Sequence, residues 1–247
     1  AEAGLSISTT VFLSKDFAAK NNDGLSETLT ITVGLMLLIA SLAAVVLNYS
    51  ASAIVALFSK LTVAEQDLAV TAIQIGSIVV WARLMQGVLV GPVQALRRYD
   101  IFNVINTLQA IAVNAVLVLV AWKGGLTVEM TVGVALVSIL FFFAYVILNC
   151  FLLHEHRVKV RFNLVKFKLI GKYSFFTWSS ALGGQFFSQG DRLIVGLLLG
   201  TTVLGIYGAI TSITVQITAL TAMAISPLLP RLSAIWNQGT SSNEEND

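Results

Sequence analysis

The chain has 247 residues, of which 56% are hydrophobic and 11% charged, with mean hydropathy +0.84 and a formal net charge of +2. Soluble domains carry about 25% charge. The composition therefore excludes an ordinary soluble enzyme, argues against nucleic acid as a partner, and fits an all-α, polytopic membrane helix bundle.

Residues 1–13 are too short to span a bilayer and read as a truncated helix end. Residues 14–27 are polar and read as a loop, or a helix end followed by a turn. Residues 28–48 form the first full span, close to the ~20 residues that a bilayer core requires. Residues 49–72 read as a polar excursion holding Lys60, Glu65 and Asp67. The second span, 73–96, is unusual in carrying Arg83, Gln86, Gly87, Gly91, Pro92 and Gln94. The third is 101–122, followed by the turn at Lys123, Gly124 and Gly125. The fourth is 128–153. Residues 154–172 are a basic connector with Arg157, Lys159, Arg161, Lys166, Lys168 and Lys172. The fifth span is 173–199 and the sixth 203–229, with Pro227 and Pro230 at its end. Residues 237–247 are polar, acidic and expected to be disordered.

Alternate connections lie on the same side of a membrane. Lys15, Lys20, Arg97, Arg98, the six connector cations and Arg231 then share one side, and Lys60 and Lys123 the other. Cytoplasmic loops are enriched in Lys and Arg, so the basic side is cytoplasmic. Arg83 and Arg192 remain within spans. A weak internal repeat relates residues 11–22 to 227–238, each an apolar helix end running through a basic position into Asn-containing sequence.

At 100° per residue, Gly76, Arg83, Gln86, Gly87 and Gln94 share one face of the second span. In the fifth span Ser174, Trp178, Ala181, Gln185, Ser188, Gln189 and Arg192 form a second stripe. Neither stripe suits lipid contact, so each faces another helix or water. Asp191 lies about 100° round from Arg192. Two readings of these charges stand side by side: a structural Asp191–Arg192 neutral pair, and a cavity lined by Arg83 and Arg192. Gly87 and Gly91 permit close helix packing, and Pro92 kinks its helix and offers a hinge. Tyr173 and Trp178 read as interfacial anchors.

The single cysteine, Cys150, forms no intramolecular disulfide and reads as a lipid-facing or packed side chain. His154 and His156 lack further ligands of metal-site spacing, so no metal is expected. No catalytic constellation and no cofactor motif appear, and the chain is not expected to be an enzyme.

Several segments together resemble the polysaccharide biosynthesis, O-antigen flippase-like branch of the multidrug/oligosaccharidyl-lipid/polysaccharide exporter superfamily. They are Gly4-Leu-Ser-Ile-Ser8, Arg83-Leu-Met-Gln-Gly-Val-Leu-Val-Gly91 with Gln94-Ala-Leu-Arg97, and Trp178 followed by Asp191-Arg-Leu-Ile-Val-Gly196. Leu199-Gly200, Gly205-Ile-Tyr207 and Pro227-Leu-Leu-Pro230 extend the match. The resemblance implies about a dozen helices in two lobes, of which this chain holds parts of both. Residues 1–153 would be a partial first lobe and 154–172 the cytoplasmic connector. Residues 173–236 would be the first hairpin of the second lobe, and 237–247 a tail.

The resemblance also implies a multi-pass protein of the bacterial inner membrane that flips lipid-linked oligosaccharide, of undecaprenyl-diphosphate type, by alternating access. Arg83, Gln86, Gln94, Gln185, Gln189 and Arg192 are then the substrate-cavity candidates, where arginines attract diphosphate or acidic sugars. Asp191 is the structural charge partner. Membrane lipids, a glycan polymerase and other assembly proteins are the implied partners. An ion-coupled multidrug exporter of the same superfamily, and an inactive truncated scaffold for glycan-assembly enzymes, are the alternatives.

Overall fold

The computed structural model describes residues 3–57, 62–156 and 158–225. Among them all regular structure is helical. The helices are α1 (Ala3–Ala18), α2 (Asn22–Ala56), α3 (Val63–Ala95), α4 (Tyr99–Trp122), α5 (Thr127–Leu153), a 3-10 turn (His154–His156), α6 (Leu164–Leu199) and α7 (Thr201–Ile225).

The polar stretches of the sequence are more helical than their composition suggests. Asn21 accepts a bond from the Gly24 amide at 2.9 Å and starts α2 well before the apolar run. Thr62 and Glu65 form a capping box, so α3 begins at Val63 and takes Glu65 and Asp67 into its first turns. The excursion expected over 49–72 is therefore helical at both ends, and its Lys60 lies outside the described residues. At 35 and 33 residues, α2 and α3 are about 50 Å long. Each exceeds the ~30 Å hydrocarbon core and projects beyond it.

Three helix ends share one geometry. Lys20, Arg97 and Gly124 adopt positive φ of 52°, 58° and 71°. Around each, two amides turn back onto the helix: Lys20 to Phe17 and Asn21 to Asp16; Arg97 to Gln94 and Arg98 to Val93; Gly124 to Ala121 and Gly125 to Val120. These are Schellman caps. A side chain in the left-handed region costs roughly 1–2 kcal/mol. At Lys20 and Arg97 a cation beside the carbonyl-rich helix end offsets part of that cost.

Among the described residues four helices are long and apolar enough to cross a membrane: α2, α3, α4 and α5. The expected six spans are thus met in four. The third and fourth fall within two residues of their expected ends. α6 starts at Leu164, so Lys166, Lys168 and Lys172 are helical and the non-helical part of the connector is short. These cations, with Asp191 and Arg192, lower the apolar content of α6. In α7 the apolar stretch Thr202–Ile217 is shorter than a span. Arg157, Pro227, Pro230, Arg231, the second copy of the weak repeat and the 237–247 tail lie outside the described residues.

The chain divides into two compact units, Ala1–Gln189 and Gly190–Asp247. In the first, α3 is the hub and packs against α1, α2, α4 and α5. Its core gathers Leu5, Phe12, Ile31, Met36, Met85, Val88 and Ile170. A β-carbon on Gly91 would stand 2.5 Å from Thr9 Cγ2, so α1 and α3 cross at a distance only glycine permits. On α5, Ala135, Ser138, Tyr145 and Asn149 form the buried face, while Leu136, Leu140, Phe143, Ile147 and Phe151 are exposed as a lipid-facing surface requires.

The connector is stitched down. Residues 158–163 have no regular secondary structure and are held to α2, where the Lys159 and Arg161 amides donate to the hydroxyls of Ser26 and Thr30, each at 3.1 Å. The two hydroxyls lie one helical turn apart on α2. Arg161 pairs with Asp23, and Asn163 donates to Glu27. Lys166 Nζ lies 2.8 Å from Asp16 Oδ2 and 2.7 Å from the Gly24 carbonyl, and Thr28 donates to the same Asp16 oxygen.

Candidate functional site

The polar face of α3 lines a cavity of about 230 Å³ in the first unit. Arg83, Gln86, Gly87, Val90 and Gln94 recur at helical spacing and form one wall. Ser6 of α1, Phe102 and Asn106 of α4, and Tyr145 of α5 complete it. Arg83 sits twelve residues, about 18 Å, from the C-terminal end of α3, deep in a membrane-length helix.

Most polar groups around the cavity are held by neighbours. Gln86 is 5% exposed; its Nε2 donates to the Ser138 carbonyl at 2.7 Å and its Oε1 accepts from Gln109 at 2.9 Å. This links α5, α3 and α4. Gln109 is the buried residue of α4. Thr10 donates to Gln94 Oε1 at 3.2 Å, and Ser6 donates to the Gly87 carbonyl at 2.6 Å. These bonds fix the amides and leave little freedom in the wall.

Arg83 and Tyr145 differ from that pattern. Arg83 is half-buried and makes no hydrogen bond or ion pair among the described residues, whose ion pairs are Arg98–Asp100, Arg161–Asp23 and Lys166–Asp16. Tyr145 is 1% exposed and its hydroxyl has no partner. Leaving a buried polar group unpaired costs about 1–3 kcal/mol, more when it is charged. Among the described residues no carboxylate lines the cavity. The arrangement offers donors, a guanidinium fork and a phenol, to an anionic or oxygen-rich guest.

Pro92 is one turn from the end of α3, and the helix continues to Ala95. It withholds an N–H from the carbonyl four residues back. The end itself closes in the Arg97 cap.

The α6 stripe is divided. Its start packs on α1: Ser174 donates to Ser8 at 2.8 Å, and Tyr173 meets Phe12 edge-on at 6.0 Å. A β-carbon on Gly4 would lie 2.7 Å from the Ser174 carbonyl and from Trp178 Cβ. Tyr173 and Trp178 thus contact α1 as well as the surroundings. The Gln185 side chain lies outside the described ones, and Gln189 is exposed.

In the second unit, Asp191 and Arg192 do not meet as an ion pair. The Asp191 carboxylate accepts from the Tyr207 hydroxyl and from the Arg192 amide, the latter at 2.8 Å. The guanidinium donates to Thr211 at 2.9 Å. Adjacent helical residues point about 100° apart, and Tyr207 and Thr211, one turn apart on α7, receive one each. The expected neutral pair is replaced by two separate bonds across the hairpin. Gly200, at φ 88°, makes the turn that brings the helices alongside.

Residue patterning missed Ser6, Asn106, Gln109 and Tyr145. Asn106 and Gln109 carried a signal, since they are three residues apart in an apolar run and so share a face. Tyr145 carried none, because an aromatic among Leu and Phe reads as packing. Among the described residues no group of three or more His, Cys, Asp or Glu is placed to hold a metal.

No curated protein and no solved structure matches the chain. A family model does, along residues 7–236, across α3, α4 and α5 and all of α1 after its first residues. The chain belongs to the polysaccharide biosynthesis protein family.

Proposed function

We propose that the protein moves lipid-linked oligosaccharide across the bacterial inner membrane by alternating access, as a flippase rather than an enzyme. The observation that carries this reading is Arg83. It lines a cavity deep in a membrane-length helix, without a carboxylate partner and beside the unpaired Tyr145 hydroxyl. A charge at such depth costs about 2.5–3.5 kcal/mol on insertion scales and signals a functional partner. In a polysaccharide biosynthesis family, a diphosphate or acidic sugar on a lipid carrier is the fitting guest. The lipid tail stays in the bilayer while the glycan passes within.

In this reading α6 and α7 are the fifth and sixth spans, and the connector lies in the cytoplasm. Gln185, Gln189 and Arg192 are proposed as further substrate-contact residues. An exporter of cationic drugs would use carboxylates, and the residues lining the cavity include none. A glycan polymerase and other assembly proteins are the proposed partners.

The test is complementation of a flippase-deficient strain, with lipid-linked intermediates measured on each leaflet. The expected result is restored surface glycan and loss of the inner-leaflet intermediate. Continued accumulation, with the protein present in the membrane at normal level, would favour the scaffold reading.

A further inference from the structure

A side-chain amide carries an acceptor oxygen and a donor nitrogen. A wall built from glutamines therefore has no set polarity until neighbours claim one end of each amide. In the Arg83 cavity the neighbours claim the oxygens. Gln86 Nε2 donates to the Ser138 carbonyl, a group that can only accept, at 2.7 Å. This fixes the amide, and its Oε1 receives Gln109 Nε2 of α4 at 2.9 Å. The orientation of both glutamines thus follows from one carbonyl.

The same holds further along α3. Gln94 Oε1 receives the Thr10 hydroxyl of α1 at 3.2 Å, a proton shared with the Ser6 carbonyl at the same distance. The Gly87 carbonyl receives the Ser6 hydroxyl at 2.6 Å. Three amide oxygens of the α3 wall are each met by a donor from a neighbouring helix. The donors of the wall are less engaged. Arg83 forms no ion pair among the described residues, and Gln94 makes no other hydrogen bond there. Asn106, the third amide of the lining, is exposed.

Gln109 and Thr10 do not themselves line the cavity. Gln109 is 1% exposed, in a helix that is otherwise rich in apolar residues. An apolar side chain would fill that space without the desolvation cost of an amide.

We propose that Gln109 and Thr10 are positioning residues that set the specificity of the Arg83 cavity, acting through Gln86 and Gln94. By holding the amide oxygens they withdraw acceptors from the guest. The wall then suits a group that only accepts, the oxygens of a phosphate or carboxylate. A sugar hydroxyl needs an acceptor for its own proton and is disfavoured there. With Arg83 as the anion-binding residue, on which this inference rests, the cavity takes the charged group of the substrate rather than its neutral sugars.

The test is binding of farnesyl diphosphate and of farnesol to the full chain in nanodiscs, each corrected for empty nanodiscs. The preference for the diphosphate is read as the ratio of the two dissociation constants. Gln109→Met, close in size and without a donor, is expected to lower that preference roughly three- to tenfold, and Thr10→Val about threefold. Thr10→Ser keeps the hydroxyl and is expected to keep the preference. Should Gln109→Met fail to fold, the two Thr10 variants decide. No preference for the diphosphate in the unaltered chain would overturn this proposal together with the role of Arg83. A clear preference there, undiminished in either folded variant, would overturn this proposal and leave the role of Arg83 standing. Equal weakening of both ligands would mark a merely structural role and overturn it as well.

Discussion

Arg83, Tyr145 and Gly91 carry different costs, and each has its own test. Arg83 and Tyr145 have no partner among the described residues in a polar cavity, and the proposed role of Arg83 is to meet a guest there. Tyr145→Phe keeps the ring in its buried place and removes one donor. It is expected to leave unfolding temperature unchanged or slightly raised, because an orphaned buried hydroxyl is lost. Thermal unfolding in detergent checks this, and a large drop would mean that the hydroxyl is already satisfied. Gly91 has the opposite character. Its Cβ position is 2.5 Å from Thr9 Cγ2, so Gly91→Ala overpacks the α1–α3 crossing. A loss of about 1–3 kcal/mol is expected in the same unfolding measurement, and Thr9→Ser alongside it is expected to restore part of the loss. The α3 stripe of Arg83, Gln86 and Gln94 was legible in the sequence because helical spacing alone puts polar residues on one face. Tyr145 and Ser6 were not, because nothing in their own neighbourhoods shows which helices will face one another.

At the scale of elements, α4 and α5 were legible nearly to the residue. Charged or glycine-containing turns bound them, and their apolar runs end where the helices end. The limits of α2 and α3 were not legible from hydropathy. Hydropathy reports where lipid lies, whereas helix ends are set by caps: Asn21 and the Thr62–Glu65 box draw polar residues into helix. The connector was read as a basic loop, and the structure shows it fastened to α1 and α2. Its anchor is Lys166 with Asp16, whose side chains are 15% and 14% exposed. Removing one partner of a buried pair typically costs about 3–5 kcal/mol. Some water contact puts Lys166→Ala and Asp16→Ala near the lower bound. The double variant is expected to lose less than the sum of the singles, measured as a thermodynamic cycle. Strict additivity would show that the two groups act independently. Loosening of residues 158–163 is expected in both single variants, read as faster proteolysis after Lys159 and Arg161.

At the scale of the whole molecule, the helical class and membrane character followed from composition, and family membership joins them to polysaccharide biosynthesis. The Asp191–Arg192 motif shows the limit of that legibility. Adjacent opposite charges suggest a pair, yet a helix turns them apart and the structure gives them Tyr207 and Thr211. Arg192 is thus satisfied within its hairpin while Arg83 is not. The proposed orientation places Arg98 and Lys123 on opposite sides. In a background with Cys150 replaced by Ser, a cysteine at 123 is expected to react with an impermeant maleimide on intact spheroplasts, and one at 98 only after lysis. The reverse pattern would invert the topology.

The central claim is that Arg83 recognises the anionic part of a lipid-linked glycan. Its most direct test is binding of undecaprenyl-diphosphate-linked oligosaccharide to the protein in nanodiscs. A hydrogen bond to a charged group contributes about 1.5–3 kcal/mol. Arg83→Ala is therefore expected to weaken binding by roughly 10- to 100-fold, with Arg83→Lys retaining part of it. Arg192→Ala, whose guanidinium already has Thr211, is expected to lose less. Unchanged affinity in folded Arg83→Ala protein would contradict the claim.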